Sequence, residues 1–158
     1  MRRLCGCSVL VLVLACAPKT PEAPPAPPPP PPPTFADFAG SWDAVNTLEG
    51  TVDPVLSRIN STPAGGGWTM TLESREPVSM QASIRGDSLI LLSEPYSSVL
   101  RKNVVVQVRT AAVLKDGVME GRLVATYNAP GGQELVTGTL RATRVPTRIT
   151  PSSARFLS

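Results

Sequence analysis

Histidine is absent from this chain. That removes the commonest general base near neutral pH and the commonest transition-metal ligand. Cysteine is scarce: Cys5, Cys7 and Cys16 all stand near the start, and nothing beyond Cys16 can pair as a disulfide or act as a thiol nucleophile. Cys5-Gly6-Cys7 alone makes a poor zinc site, with no other thiolate or imidazole to complete it. No G-x-S-x-G, S-x-x-K or P-loop sequence is present. The acidic spacing of an EF-hand loop is also missing. Carboxylates are scattered. Glu73 and Glu76 flank Arg75 just before Pro77 and read as solvated turn charges, while Glu49, Asp43 and Asp53 lie on or near the first two strands and line a pocket or simply face water. Hence no enzyme activity, cofactor or metal is expected.

No apolar run is long enough to span a bilayer as a helix, which takes ~20 residues. The longest, Val9 to Leu14, follows Met1-Arg2-Arg3 and leads through Val13-Leu14-Ala15 to Cys16. A charged start, a short apolar core and a small residue before cysteine fit a removable secretory segment. The pattern resembles the signal peptide and lipobox of a bacterial lipoprotein. That resemblance implies cleavage after residue 15, a diacylglyceryl group on the Cys16 thiol and acylation of the new amine. Three acyl chains would anchor far more firmly than one, which binds membranes only marginally. Ala17, in place of a retention aspartate, points to the outer membrane. The implied location is the cell envelope, lipid-anchored and facing the periplasm.

Residues 18–33 hold eleven prolines, ending in the run Pro27 to Pro33. Fixed φ and missing N–H groups bar helix and sheet interior, leaving polyproline II. At roughly 3.1 Å per residue the segment reaches up to about 50 Å. It reads as a disordered spacer holding a domain off the bilayer rather than as a docking peptide. The expected organisation is therefore signal peptide 1–15, lipidated cysteine and proline-rich linker 16–34, folded domain 35–145 and flexible tail 146–158.

The chain carries fifteen basic and twelve acidic residues, but residues 35–145 carry ten and eleven. Such a balanced domain has no basic footprint for nucleic acid and no polybasic cluster for anionic lipid. About 110 residues suit one domain with one core.

Within that domain apolar and polar residues alternate with period two, the signature of half-buried strands. Trp68, Met70 and Leu72 alternate with threonines and Glu73; Val78, Met80, Ala82 and Ile84 with polar residues; Leu123 and Leu140 belong to two later runs that start at Met119 and Val136. Gly86-Asp87 and Asp116-Gly117 suit tight hairpin turns. Gly65-Gly66-Gly67 and Asn128 to Gly132 read as looser connections. The pattern predicts eight strands, at 40–50, 52–62, 67–74, 77–86, 88–95, 103–115, 118–128 and 134–145, with a short turn over 35–39. The fold class is all-β: an eight-stranded antiparallel meander closing into a small barrel, with an open sheet or sandwich as the alternative. Gly121 and Gly138 occupy matching places in two similar segments and suit bends in curved strands.

Gly40-Ser41-Trp42 opens the first strand, and Arg141 and Arg144 lie on the last. This resembles the lipocalin pattern, which implies that Trp42 packs against a final-strand arginine to close the barrel base. Arg144 shares the register of the apolar positions and is the implied partner. Trp68, Met70, Leu72, Met80, Ile84, Leu123 and Leu140 would then line an interior able to hold an apolar molecule. Ser93 to Arg101, with Tyr96, reads as a polar loop that binds nothing, with a mouth loop for a ligand as the alternative, and Arg109 as a solvated strand residue. The expected role is an envelope lipoprotein whose barrel binds an apolar or amphipathic ligand or an envelope protein. The alternative is an accessory subunit with a filled barrel.

Overall fold

The alternation of apolar and polar residues is realised as strands that turn one face to a common interior. The computed structural model describes residues 31–146. The signal peptide, Cys16, the linker up to residue 30 and the tail from residue 147 lie outside the described residues. A single 3₁₀ turn, Phe35–Phe38, leads into β1 (Gly40–Leu48), β2 (Val55–Ser61), β3 (Trp68–Leu72), β4 (Val78–Arg85) and β5 (Ser88–Ser93). A two-residue strand, β6 (Tyr96–Ser97), precedes β7 (Val105–Lys115), β8 (Val118–Ala129) and β9 (Gly132–Arg144).

Strands β1 to β5 pair antiparallel in sequence order, β5 pairs with β7, and β7, β8 and β9 continue the meander back to β1. Eight strands thus form a closed barrel, as the strand pattern predicts. Closure pairs both edges of the sheet, so no long row of open backbone groups invites aggregation. The end where β1 begins is called the lower end, and the end where β1 stops the upper end.

Inward positions are mostly apolar, with Asn46, Ser57, Ser93 and Thr110 as the polar exceptions. Trp42, Ala44 and Leu48 point in from β1, Ile59 from β2, Trp68, Met70 and Leu72 from β3, and Leu89 and Leu91 from β5. Met119, Leu123, Ala125 and Tyr127 do so from β8, and Leu140 and Ala142 from β9. Burying each large member stabilises by about 1.5–3 kcal/mol. Two inward positions are glycine. A Cβ on Gly121 would run into the Ala111 carbonyl oxygen, and one on Gly138 into that of Thr47. Neighbouring backbones therefore approach too closely there for any side chain, which tightens the curl of the sheet.

The hairpins follow their turn chemistry. Arg85 pairs with Ser88 across Gly86-Asp87, with Gly86 at φ +61°. Lys115 pairs with Val118 across Asp116-Gly117, both at positive φ, as a type I′ turn requires. The Asn128 to Gly132 connection is tighter than expected: Ala129 pairs with Gly132, leaving only Pro130-Gly131 as the turn. Proline presets the φ of the first turn position, so the hairpin needs no extra residues. The connection from β1 to β2 is longer than expected, because pairing stops at Leu48 and resumes only after Pro54.

Strand β6 adds a short segment to the eight-strand pattern. Its pairs with β7 are shifted by one residue from those of β5, so Ser93 to Pro95 forms a bulge within one long strand. Ser93 Oγ accepts the Val108 N–H at 2.9 Å, and Gln107 Nε2 donates to the Ser93 carbonyl at 2.9 Å. Pro95, which reads as a stop signal in sequence, sits where the ladder needs no donor.

Candidate functional site

The two ends of the barrel differ. At the lower end the 3₁₀ turn tucks Phe38 beneath Trp42, and both side chains are fully buried. Trp42 Nε1 donates to the Phe38 carbonyl at 2.9 Å. Trp42 and Arg144 are register partners across β1 and β9, and the Arg144 guanidinium lies 4.3 Å above the indole ring. Its two terminal nitrogens donate to the Ala39 carbonyl and, at 2.7 Å, to the Asp37 carbonyl. A planar fork over an aromatic face, tied to the leading turn, fastens that turn across the opening. The Asp37 carboxylate takes the Thr34 N–H and hydroxyl, at 2.7 and 2.9 Å. These hydrogen bonds hold its pKa below the usual value, the backbone one foremost. Phe35 meets Trp68 edge-on at 6.2 Å.

The upper end contains a cavity of about 40 Å³. Leu48, Met70, Leu72, Val106 and Leu123 form its walls, with the Tyr96 and Tyr127 rings, and Val99 and Leu100 close it from above. Its volume has room for water but is well below the roughly 150 Å³ of an engineered cavity that binds benzene. Of the expected lining residues it gathers Met70, Leu72 and Leu123. Trp68, Met80, Ile84 and Leu140 stand apart from it, packed in the core or against it. Burial pushes the Tyr96 hydroxyl up to about 12, reinforced by Tyr127 and opposed by Arg75. Burial likewise raises Tyr127.

The strap of residues 98–104 covers this end. Ser98 N–H donates to the Val104 carbonyl at 2.8 Å and closes its neck. Ser98 Oγ accepts the Leu100 and Arg101 amides at 3.1 and 3.0 Å. Arg101 grips Glu134 of β9 through two hydrogen bonds of 2.5 and 2.7 Å and lies 4.1 Å over the Tyr127 ring. The hydrogen bonds raise the Arg101 pKa and lower that of Glu134. Tyr127 extends the inward register of Leu123 and Ala125, and that periodicity could have marked it as lining. The Arg101–Glu134 pair has no such signal, since the partners lie far apart in sequence.

The remaining polar candidates face water. Glu49, Asp53, Glu73, Glu76 and Arg109 are exposed, and Asp43 pairs on the outer wall with Arg58 at 2.8 Å. Among the described residues, no group of three or more acidic side chains stands close enough to hold a metal ion. No helix among them is long and apolar enough to cross a membrane. On the outer wall Val45 and Leu56 are cross-strand partners, exposed by 41% and 61%.

No protein-family model matches the chain, and no curated protein matches it in sequence.

Proposed function

We propose that this chain is a lipoprotein of the bacterial envelope, anchored through acylated Cys16, whose lipocalin-like barrel binds a small apolar or amphipathic molecule at its upper end. The observation that carries the reading is the contrast between the ends. The lower end is filled by Phe38, Trp42 and Arg144, whereas the upper end keeps an apolar cavity under a strap. A barrel fastened at one end and hollow at the other suits binding at its mouth. With about 40 Å³ in the closed form, a ligand larger than water enters only as the strap moves. The role is non-catalytic: the chain offers no histidine and no thiol beyond Cys16.

Two experiments test the reading. Cells fed labelled palmitate should incorporate it into the wild-type chain, and Cys16→Ser should abolish both the label and membrane retention. Organic extraction of the purified protein, followed by mass spectrometry, should recover a lipophile in defined stoichiometry. A chain that neither carries nor takes up any lipophile would falsify the binding role.

A second reading, an accessory subunit that docks through its wall, is favoured by the Val45–Leu56 pair on the outer face of β1 and β2. Cross-linking from these positions in intact cells would distinguish it, by trapping a partner protein while the extract holds no lipophile.

A further inference from the structure

We infer that the strap of residues 98–104 is a latched gate to the upper cavity, that the Arg101–Glu134 pair is its latch, and that it admits a neutral apolar molecule. The inference rests on the binding role just proposed. The strap is built as a unit that can move whole. Its neck is closed by the Ser98–Val104 hydrogen bond, and its first turn is held by Ser98 Oγ on the Leu100 and Arg101 amides. Asn103, at φ +60°, makes its return bend. These ties are internal and survive a hinge motion at the two ends of the strap.

The tie across the barrel is of another kind. Of the ion pairs among the described residues, one touches the strap, and it joins Arg101 to Glu134 near the tip of the β8–β9 hairpin. Arg101 also stacks on Tyr127, a cavity wall. Releasing the pair frees the strap to lift Val99 and Leu100 off the cavity, and removing that roof joins the cavity to the space above. The Arg101 and Glu134 side chains keep 34% and 54% exposure, so breaking the pair leaves both charges in reach of water and the closed state is only modestly favoured.

The chemistry of the mouth selects the ligand class. Arg101 and Glu134 already neutralise one another, and the walls below are aliphatic and aromatic, with hydroxyls at Tyr96 and Ser98 and the Asn46 amide, whose nitrogen already donates to the Val55 carbonyl and the Ser57 hydroxyl. A carboxylate entering here would compete with Glu134 for the same guanidinium and face its negative charge. A neutral apolar molecule meets neither obstacle, and its burial is favoured in proportion to the area removed from water.

The test uses the full chain carrying Cys16→Ser, which needs no detergent. Hydrogen exchange of the strap amides reads the latch without any ligand. Glu134→Gln and Arg101→Gln should each speed that exchange about fivefold, and the charge-swapped double variant Arg101→Glu with Glu134→Arg should restore protection. Fluorobenzene, a neutral probe followed by ¹⁹F NMR, should exchange with the cavity correspondingly faster in the unlatched variants. Leu123→Phe, which adds less bulk to the cavity wall, should weaken fluorobenzene binding. Strap exchange unaltered in both latch variants overturns the inference and leaves the binding role standing. A faster strap with no fluorobenzene uptake in any variant overturns the gate to a neutral apolar molecule, while the binding role itself falls only if the organic extract also holds no lipophile.

Discussion

Arg144 shows how one side chain can join elements that strand pairing alone does not join. Its guanidinium reaches two carbonyls of the leading turn and covers Trp42. Charged donors to carbonyls contribute about 1.5–3 kcal/mol and an exposed cation–π contact about 0.5–1 kcal/mol, but solvent competes at this surface position. Arg144→Ala should therefore destabilise the barrel by about 2 kcal/mol in urea unfolding. Arg144→Lys should recover only part of that, because an ammonium cannot fork to both carbonyls. Trp42→Phe removes one of two donors to the buried Phe38 carbonyl, leaving the Ser61 hydroxyl in place, and should cost about 0.5–1.5 kcal/mol. Equal stability of Arg144→Ala and wild type would remove the fastening role. The pairing of Trp42 with a last-strand arginine was legible, because both types sit at recognisable places in alternating strands. The carbonyls that Arg144 binds were not, since backbone acceptors leave no trace in side-chain pattern.

Glu134 gives the residue scale a pH dependence. Hydrogen bonds from Arg101 lower its folded-state pKa below the ordinary glutamate value. A depressed carboxylate contributes stability that is complete above its unfolded pKa and lost as pH falls through the folded one. The latch should thus persist unchanged from neutral pH down to the ordinary glutamate range and loosen only at more acid pH. NMR of the Glu134 carboxyl should show a midpoint below the usual value, returning upward in Arg101→Gln. A normal midpoint in the wild type would mean that the pair is not formed in solution.

At the scale of elements, the bulge between β5 and β6 decides how the barrel closes. A regular strand from Ser88 to Ser97 would place Pro95 in the ladder against β7, where it cannot donate. Slipping the register by one residue keeps Tyr96 on the inner side, against the cavity. Ser93 Oγ then supplies the acceptor that the Val108 N–H has lost from the ladder. Ser93→Ala should strand that half-buried amide and destabilise by about 1–3 kcal/mol, with faster exchange at Val108 as the specific readout. Ser93→Thr should be milder, because it keeps the oxygen. Alternation revealed the strands on either side, since inward residues must be apolar at every second place. The slip itself was illegible, because it depends on which hydroxyl meets which amide across the closing seam.

The two ends of the molecule differ in how they are covered, although Leu72 and Leu123 beside the upper cavity are as buried as the lower core. Phe38, Trp42, Ile59, Trp68, Leu89 and Met119 are buried to 2% exposure or less and fill the barrel toward its lower part. Near the upper end stand the cavity, the strap and the β8–β9 hairpin, whose residues Gly132 to Leu135 are exposed. Leu135 there is 66% exposed, so little apolar burial holds the tip. Amides that face few buried contacts open locally, whereas those in a packed core exchange only through global unfolding. Native-state hydrogen exchange should therefore place the amides of Trp42, Ile59 and Met119 at the global unfolding free energy. The strap and the hairpin tip should exchange at distinctly lower free energies and stay insensitive to low denaturant. Arg144→Ala should lower the first group together with global stability and leave the strap unaffected, whereas Glu134→Gln should do the reverse. Uniform protection from end to end would show a barrel closed equally at both ends, with no mouth for a ligand to use.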